Sequence, residues 1–135
     1  MQITLNAKDF RIGNMIADYE CEPYYFDIES ISLVEGVWVS YRNGSFHSTI
    51  DNLEPIEITE DWLECFGFEN IRKNGSNYFT KDSDTFTQMR LAIINDICHI
   101  SVGNDNEGTA IAAIRYVHEL QNLFFSLTGE ELKLK

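Results

Sequence analysis

The stretch PIEITEDWLECFGF, residues 55–68, is the segment in which both ends of one structural element are written locally. Thr59 suits a helix N-cap, and Glu60 and Asp61 put negative charge in the first turn, where the helix dipole favours it. Ile58 stands before the cap and Leu63 four residues after it, the spacing of a hydrophobic staple. Gly67 falls where a left-handed residue ends a helix, and Phe68 follows at the position that packs back on Leu63 in a Schellman ending. The predicted element is a two-turn helix with Trp62, Leu63 and Phe66 inward and Glu60, Asp61 and Glu64 outward.

Strand patterns flank this helix on both sides. RIGNMIA (11–17) reads as a first strand with a bend at Gly13 and Asn14, followed by an acidic loop ending at Pro23. YYFDIESISLV (24–34) reads as one long, curved strand, and Glu35-Gly36 turns it into GVWVSY (36–41). Asn43-Gly44 is a two-residue hairpin signal leading into SFHSTI (45–50). The sum is a bent, SH3-like sheet or small barrel.

Beyond the helix, residues 69–102 read as three or four strands, with turns at 73–77, 81–84 and Asn95-Asp96. Met89, Leu91 and Ile93 share one face of TFTQMRLAII, and Cys98, Ile100 and Val102 face inward while His99 faces out. GNDNEGT (103–109) reads as a polar loop. Ile111, Ile114, Val117, Leu120, Phe124 and Leu127 recur at steps of three or four, which predicts a helix from about Ala110 to Leu127, capped near Thr109 and ended at Thr128-Gly129. Tyr116, Leu123 and Phe125 lie off that stripe; a helix apolar on a second side is buried on a second side, so these three are candidate contacts in a homo-oligomer. The expected fold class is α+β, one domain over 1–135: an SH3-like β half (1–57), then a short capped helix, a β-meander and a C-terminal helix packed on the sheet (58–135).

Charge narrows the partners. The 135 residues carry 22 acids against 10 basic residues, a net charge of −12. Nucleic-acid binding rests on Lys and Arg displacing counterions, and anionic membranes attract the same residues, so direct binding to either is disfavoured. Between Arg42 and Arg72 there is no lysine or arginine, while Asp51, Glu54, Glu57, Glu60, Asp61, Glu64 and Glu69 fall there. Glu57, Glu60, Asp61, Glu64 and Glu69 are the candidate partner-binding residues, suited to a basic protein; the alternative is a solvated face. No apolar run reaches the roughly 18 residues of a membrane span, and the N-terminus lacks signal-peptide features, so the expected location is the cytoplasm of a bacterial host cell.

Motifs for chemistry are wanting. Phosphate-cradling loops, GxSxG and HExxH are absent. Cys21, Cys65 and Cys98 are widely spaced and read as reduced, buried thiols, and His47, His99 and His118 are scattered. GNDNEGTAIAAI lacks the closing glutamate of a calcium loop and reads as a turn. No catalytic residue, metal or cofactor is assigned.

RIGN (11–14), ITEDWLECFGF (58–68) and YVHELQNLFFSLTGEEL (116–132) together resemble a family of small uncharacterised proteins of gut bacteria and their phages and mobile elements. Its members read RIGN, then PIxLTEEWLxxFGF, then YVHxLQNLxFxLTGEEL. Glu57 and Cys65 depart from the proline and the basic or polar residue expected there, which makes this chain more acidic around the short helix. The resemblance implies an accessory protein that works by binding and brings no catalytic residue with it. The leading expectation is therefore a small acidic interaction protein acting by protein–protein contact. The alternatives are an acidic inhibitor of a host nucleic-acid enzyme or defence factor, and a small-molecule or nucleotide-binding protein or enzyme with a dispersed site.

Overall fold

A computed structural model of the chain describes residues 10–19, 25–32, 38–41, 46–49, 53–73, 75–81, 88–104, 107–132 and 134. The class is α+β: antiparallel sheets, two helices, and a C-terminal helix that packs on a sheet. The chain forms two compact units, one of Met1–Ile56 with Tyr116–Asn122 and one of Glu57–Arg115 with Leu123–Lys135.

In the first unit, β1 (Met15–Ala17) pairs with β2 (Tyr25–Asp27), and β3 (Ser30–Ser32), β4 (Trp38–Tyr41) and β5 (Phe46–Thr49) form a three-stranded sheet. The single curved strand expected over 24–34 is two short strands in different sheets. The break has a hydrogen-bonding cause: Ile28 N–H donates to Asn14 O (2.9 Å) and Glu29 N–H to Ser40 O (2.9 Å), so adjacent residues are claimed by different neighbours. Ser30 and Ser40 hydroxyls bond across the β3–β4 pair. Phe10, Ile16, Phe26, Ile28 and Leu53 form the core of this unit, with Ile31 against it. The hairpin signals at Glu35-Gly36 and Asn43-Gly44, the loop ending at Pro23, and Cys21 lie outside the described residues.

The second unit opens with α1 (Glu60–Cys65) and its ends are those the local signals specify. Thr59 Oγ1 accepts from Trp62 N–H, and Ile58 and Leu63 are both buried. At the exit Gly67 N–H donates to Glu64 O (2.9 Å) and Phe68 N–H to Leu63 O (3.0 Å), the two bonds of a Schellman motif. Gly67 has φ +88°, the left-handed conformation that motif demands.

A meander follows: β6 (Glu69–Lys73), β7 (Ser76–Lys81), β8 (Gln88–Ile94), β9 (Ile97–Asn104) and β10 (Glu107–Ile114), each antiparallel to the next, with β6 and β10 at the edges. Lys73 pairs with Ser76 around a turn whose Asn74 lies outside the described residues, as do residues 82–87 of the next connection. Asn95 and Asp96, with φ of 53° and 66°, make the tight β8–β9 turn, the positive φ at both positions being that of a type I′ hairpin turn, whose twist matches that of the strands. Direct cross-strand pairing places Phe79, Leu91 and Ile100 in one row, and all three are buried. Cys98 is buried and His99 exposed, as the period of two requires.

Two expectations fail at the C-terminal side. The polar loop over 103–109 is instead the end of β9 and the start of β10, joined across Asp105 and Asn106, which lie outside the described residues. The helix expected from Ala110 is strand up to Ile114, and α2 spans only Val117–Thr128. Alanine favours helix, but β9 offers an unpaired ladder to exactly this segment of chain, and tertiary pairing overrides propensity. Ile111 is thereby exposed, and Ile114 only half-buried, so neither belongs to the helix stripe. The true helix start carries a signal of its own kind: Glu119 Oε1 accepts from Tyr116 N–H (3.0 Å), the return half of a capping box without a Ser or Thr at the cap. Thr128 and Gly129 end the helix as expected, with Gly129 N–H donating to Phe125 O (2.8 Å).

Burial pushes the Cys98 thiol up to about 12 from 9.0. The folded chain keeps that proton where the unfolded chain releases it, so the contribution to stability is complete below about pH 9 and lost as pH rises toward 12. Unfolding stability measured from pH 8 to pH 11 is expected to fall more gently in Cys98→Ala than in the parent, on top of a lower plateau from the lost packing.

Candidate functional site

The most developed polar constellation of the described residues lies in the first unit and joins two sequence stretches more than 100 residues apart. It begins with the turn Arg11-Ile12-Gly13-Asn14. Asn14 Oδ1 accepts from Arg11 N–H (2.6 Å), and Asn14 N–H donates back to Arg11 O (3.1 Å). Gly13 has φ +95°, a conformation a side chain would strain, and its N–H donates to Ile28 O (2.7 Å). The turn is thus tied to its own hydrogen bonds and to the β2–β3 junction.

The first half of α2 supplies the remaining partners. Gln121 Oε1 accepts from Met15 N–H (2.8 Å), and Gln121 Nε2 donates to Gly13 O (3.2 Å). One side-chain amide therefore acts as a strand would, serving one backbone donor and one acceptor. Asn122 Oδ1 accepts from both Arg11 Nε (2.7 Å) and Asn14 Nδ2 (2.9 Å), and Arg11 Nη2 reaches Gln121 O (3.3 Å). Asn14 is fully buried and Gln121 nearly so. Beside them the buried His118 ring stacks on Phe10 (4.2 Å between centroids, 24° between planes) and lies 6.0 Å from Tyr116. Amides and a guanidinium hold no proton to exchange near neutral pH, so this network positions backbone rather than performing acid–base chemistry. Both motifs were visible in the sequence as RIGN and Gln121-Asn122; what the sequence lacked was any sign that they touch.

The five acidic candidates all belong to the second unit. Glu57, Glu60, Asp61, Glu64 and Glu69 are each exposed, on α1 and its flanks. Glu60 Oε1 accepts from Asn77 Nδ2 at 3.4 Å. Lys81, on β7, was not singled out by sequence. Its Nζ donates to Phe66 O (3.3 Å) and stands 5.7 Å from the Phe68 ring centre, putting a cation at the carbonyl end of α1, where the helix itself has none.

The three residues of the second helix side separate by unit. Tyr116 precedes α2 in the first unit, half-buried; Leu123, half-buried, and Phe125, 39% exposed, lie in the second. Cys98 is buried as expected, whereas Cys65 is exposed, because it sits on the outer face of the short helix beside Glu64. Among the described residues no three His, Cys, Asp or Glu side chains gather to hold a metal ion, and no helix is long and apolar enough to cross a membrane. Comparison with protein-family models, with curated proteins and with solved structures gives no match.

Replacing Gln121 by Leu leaves the Met15 N–H and Gly13 carbonyl without that partner inside the protein, a cost of about 3 kcal/mol. Urea unfolding should show this as a lowered midpoint at unchanged slope, while Ser126→Ala, on the exposed side of the same helix, should stay within about 0.5 kcal/mol of the parent.

Proposed function

We propose that the protein is a small acidic interaction module, of the phage or mobile-element accessory kind, that works by contact with a basic protein partner rather than by turnover. The observation that carries this reading is the exposure of Glu57, Glu60, Asp61, Glu64 and Glu69 in one compact unit, with Glu60, Asp61 and Glu64 on a helix whose two ends are both capped and the other two flanking it. A capped helix holds its outer carboxylates in a fixed array, so little ordering entropy is lost when a partner binds. The absence of Lys and Arg between Arg42 and Arg72 leaves the array uncompensated along the sequence. Such a field speeds encounter with a basic surface and rejects nucleic acid and acidic proteins. An inhibitor of a host nucleic-acid enzyme or defence factor is the form of this reading in which the partner's basic surface is itself a nucleic-acid site.

Two sets of charge reversals test it. Glu60 and Asp61 also serve the helix dipole, so Glu60→Lys, Asp61→Lys and Glu64→Lys together are paired with a second set, Glu57→Lys, Glu64→Lys and Glu69→Lys, that spares the first turn. Affinity capture from host extract should recover a basic protein whose binding weakens as salt is raised, and both sets should abolish capture while circular dichroism stays unchanged. Capture that survives both sets would end the acidic-face reading.

A further inference from the structure

β10 is held to its neighbour in two pieces. Residues 107–110 pair with 104–101 of β9, and Ala112, Ala113 and Ile114 pair with Ile100, His99 and Cys98. The register shifts between Ala110 and Ala112, so Ile111 falls outside the ladder and interrupts it. The second piece is therefore only three residue pairs long, and the residue that precedes it is 38% exposed. Its side chains do not favour a strand. Alanine, at 112 and 113, has the highest helix propensity of any residue. Ile114 stands three positions before Val117 and so continues the apolar stripe of α2 through Val117, Leu120 and Phe124. As a strand residue it is only half-buried. Local preference and tertiary pairing disagree over 112–116, and such disagreement narrows the gap between competing arrangements.

We propose that residues 112–116 are a boundary switch: they leave β9 and wind onto the N-terminus of α2, with Ile111 as the hinge, while 107–110 stay in the sheet. Three bonds hold the strand form. Val117 N–H donates to Ile56 O (2.7 Å), Ile58 N–H to Arg115 O (2.8 Å), and Tyr116 N–H to Glu119 Oε1 (3.0 Å). In the wound form donation runs four residues back, so Tyr116, Val117 and His118 N–H find the carbonyls of Ala112, Ala113 and Ile114. Glu119 N–H, now on Tyr116 O (3.1 Å), moves to Arg115 O. The carboxylate of Glu119 caps the helix only while α2 begins at Val117, which makes Glu119 the latch of the strand form. Winding brings Ile114 onto the helix face of Val117 and strips β9 of its neighbour along 98–100, which uncovers the buried Cys98. Glu57, an acid of the proposed partner face, lies between Ile56 and Ile58, so a partner engaged there pulls on two of the three holding bonds. That last link rests on the acidic-face reading; the switch does not.

Iodoacetamide labelling of Cys98 reads the switch with no partner present, in the full chain carrying Cys21→Ser and Cys65→Ser so that one thiol remains. At low urea the labelling rate should be independent of urea and faster than global unfolding allows, the mark of a local opening. Glu119→Ala should raise the rate about tenfold, the worth of a lost cap, and should strengthen the helical circular dichroism signal. Glu119→Gln keeps an acceptor oxygen and should label like the parent. Ala113→Val, at an exposed strand position, should slow labelling about threefold, because a β-branched residue fits a strand better than a helix. Labelling that follows global unfolding at every urea concentration overturns the switch, and so does a Glu119→Ala rate equal to the parent's. Faster labelling of Glu119→Ala with a weakened helical signal means that the segment frays without winding, which overturns it as well. Should Glu119→Ala fail to fold, an Ala113→Val rate no slower than the parent's does the same. Partner capture enters none of these readouts, so the acidic-face reading and the switch fail separately.

Discussion

A buried polar group must find a partner, and in this protein that requirement is concentrated at one turn. The Arg11–Asn14 turn leaves the Gly13 carbonyl and the following Met15 N–H to Gln121, and the side-chain donors of Arg11 and Asn14 to Asn122. Because the amide of Gln121 must present oxygen to Met15 N–H and nitrogen to Gly13 O, it has one admissible orientation, and the helix that carries it has one admissible position against the turn. This explains why the first half of α2 clusters with the N-terminal unit although it lies at the far end of the chain. The apolar residues around it, Phe10, Ile16, Phe26 and Ile28, provide the driving force for burial. They would accept many arrangements of similar volume; the hydrogen bonds accept one.

The same division of labour recurs in the second unit. Its sheet buries one face through the row Phe79, Leu91 and Ile100, while α1 places its carboxylates on the outside and keeps Leu63 and Phe66 within. Lys81 answers the helix carbonyl end from a strand, so electrostatic completion of α1 comes from outside the helix. Among the described residues the five candidate acids face solvent, while the buried amides of Asn14 and Gln121 hold backbone in place.

Legibility followed the range of the interactions. α1 was readable residue by residue because cap, staple and Schellman ending lie within ten positions of one another. The Asn95-Asp96 turn and the alternation of β8 and β9 were readable for the same reason. The candidate acids were legible as exposed, since charge periodicity on a short capped helix admits one inward face. The stretch 103–116 was misread. Its isoleucines fit a helical period and its alanines favour a helix, but β9 was waiting for a partner and the pairing prevailed. Glu119 marked the real start of α2 at Tyr116, a signal obscured by the lack of a Ser or Thr cap.

Composition, caps and turn residues were enough to determine an α+β chain with a fixed short helix, a meander and an acidic exterior. Each of these depends on contacts between neighbours in sequence, whose geometry the local backbone dictates. Only the tertiary structure decided that RIGN and Gln121-Asn122 form one hydrogen-bonded assembly and that residues 107–114 form the last strand of the sheet. The first outcome rests on a pairing across more than 100 residues, where closure entropy rises only slowly with length and so barely distinguishes one distant partner from another; the second is a short-range pairing with β9 that the helical spacing of the isoleucines concealed. The choice falls to whichever arrangement leaves the fewest buried donors and acceptors unsatisfied, and that accounting exists only once the chain has folded.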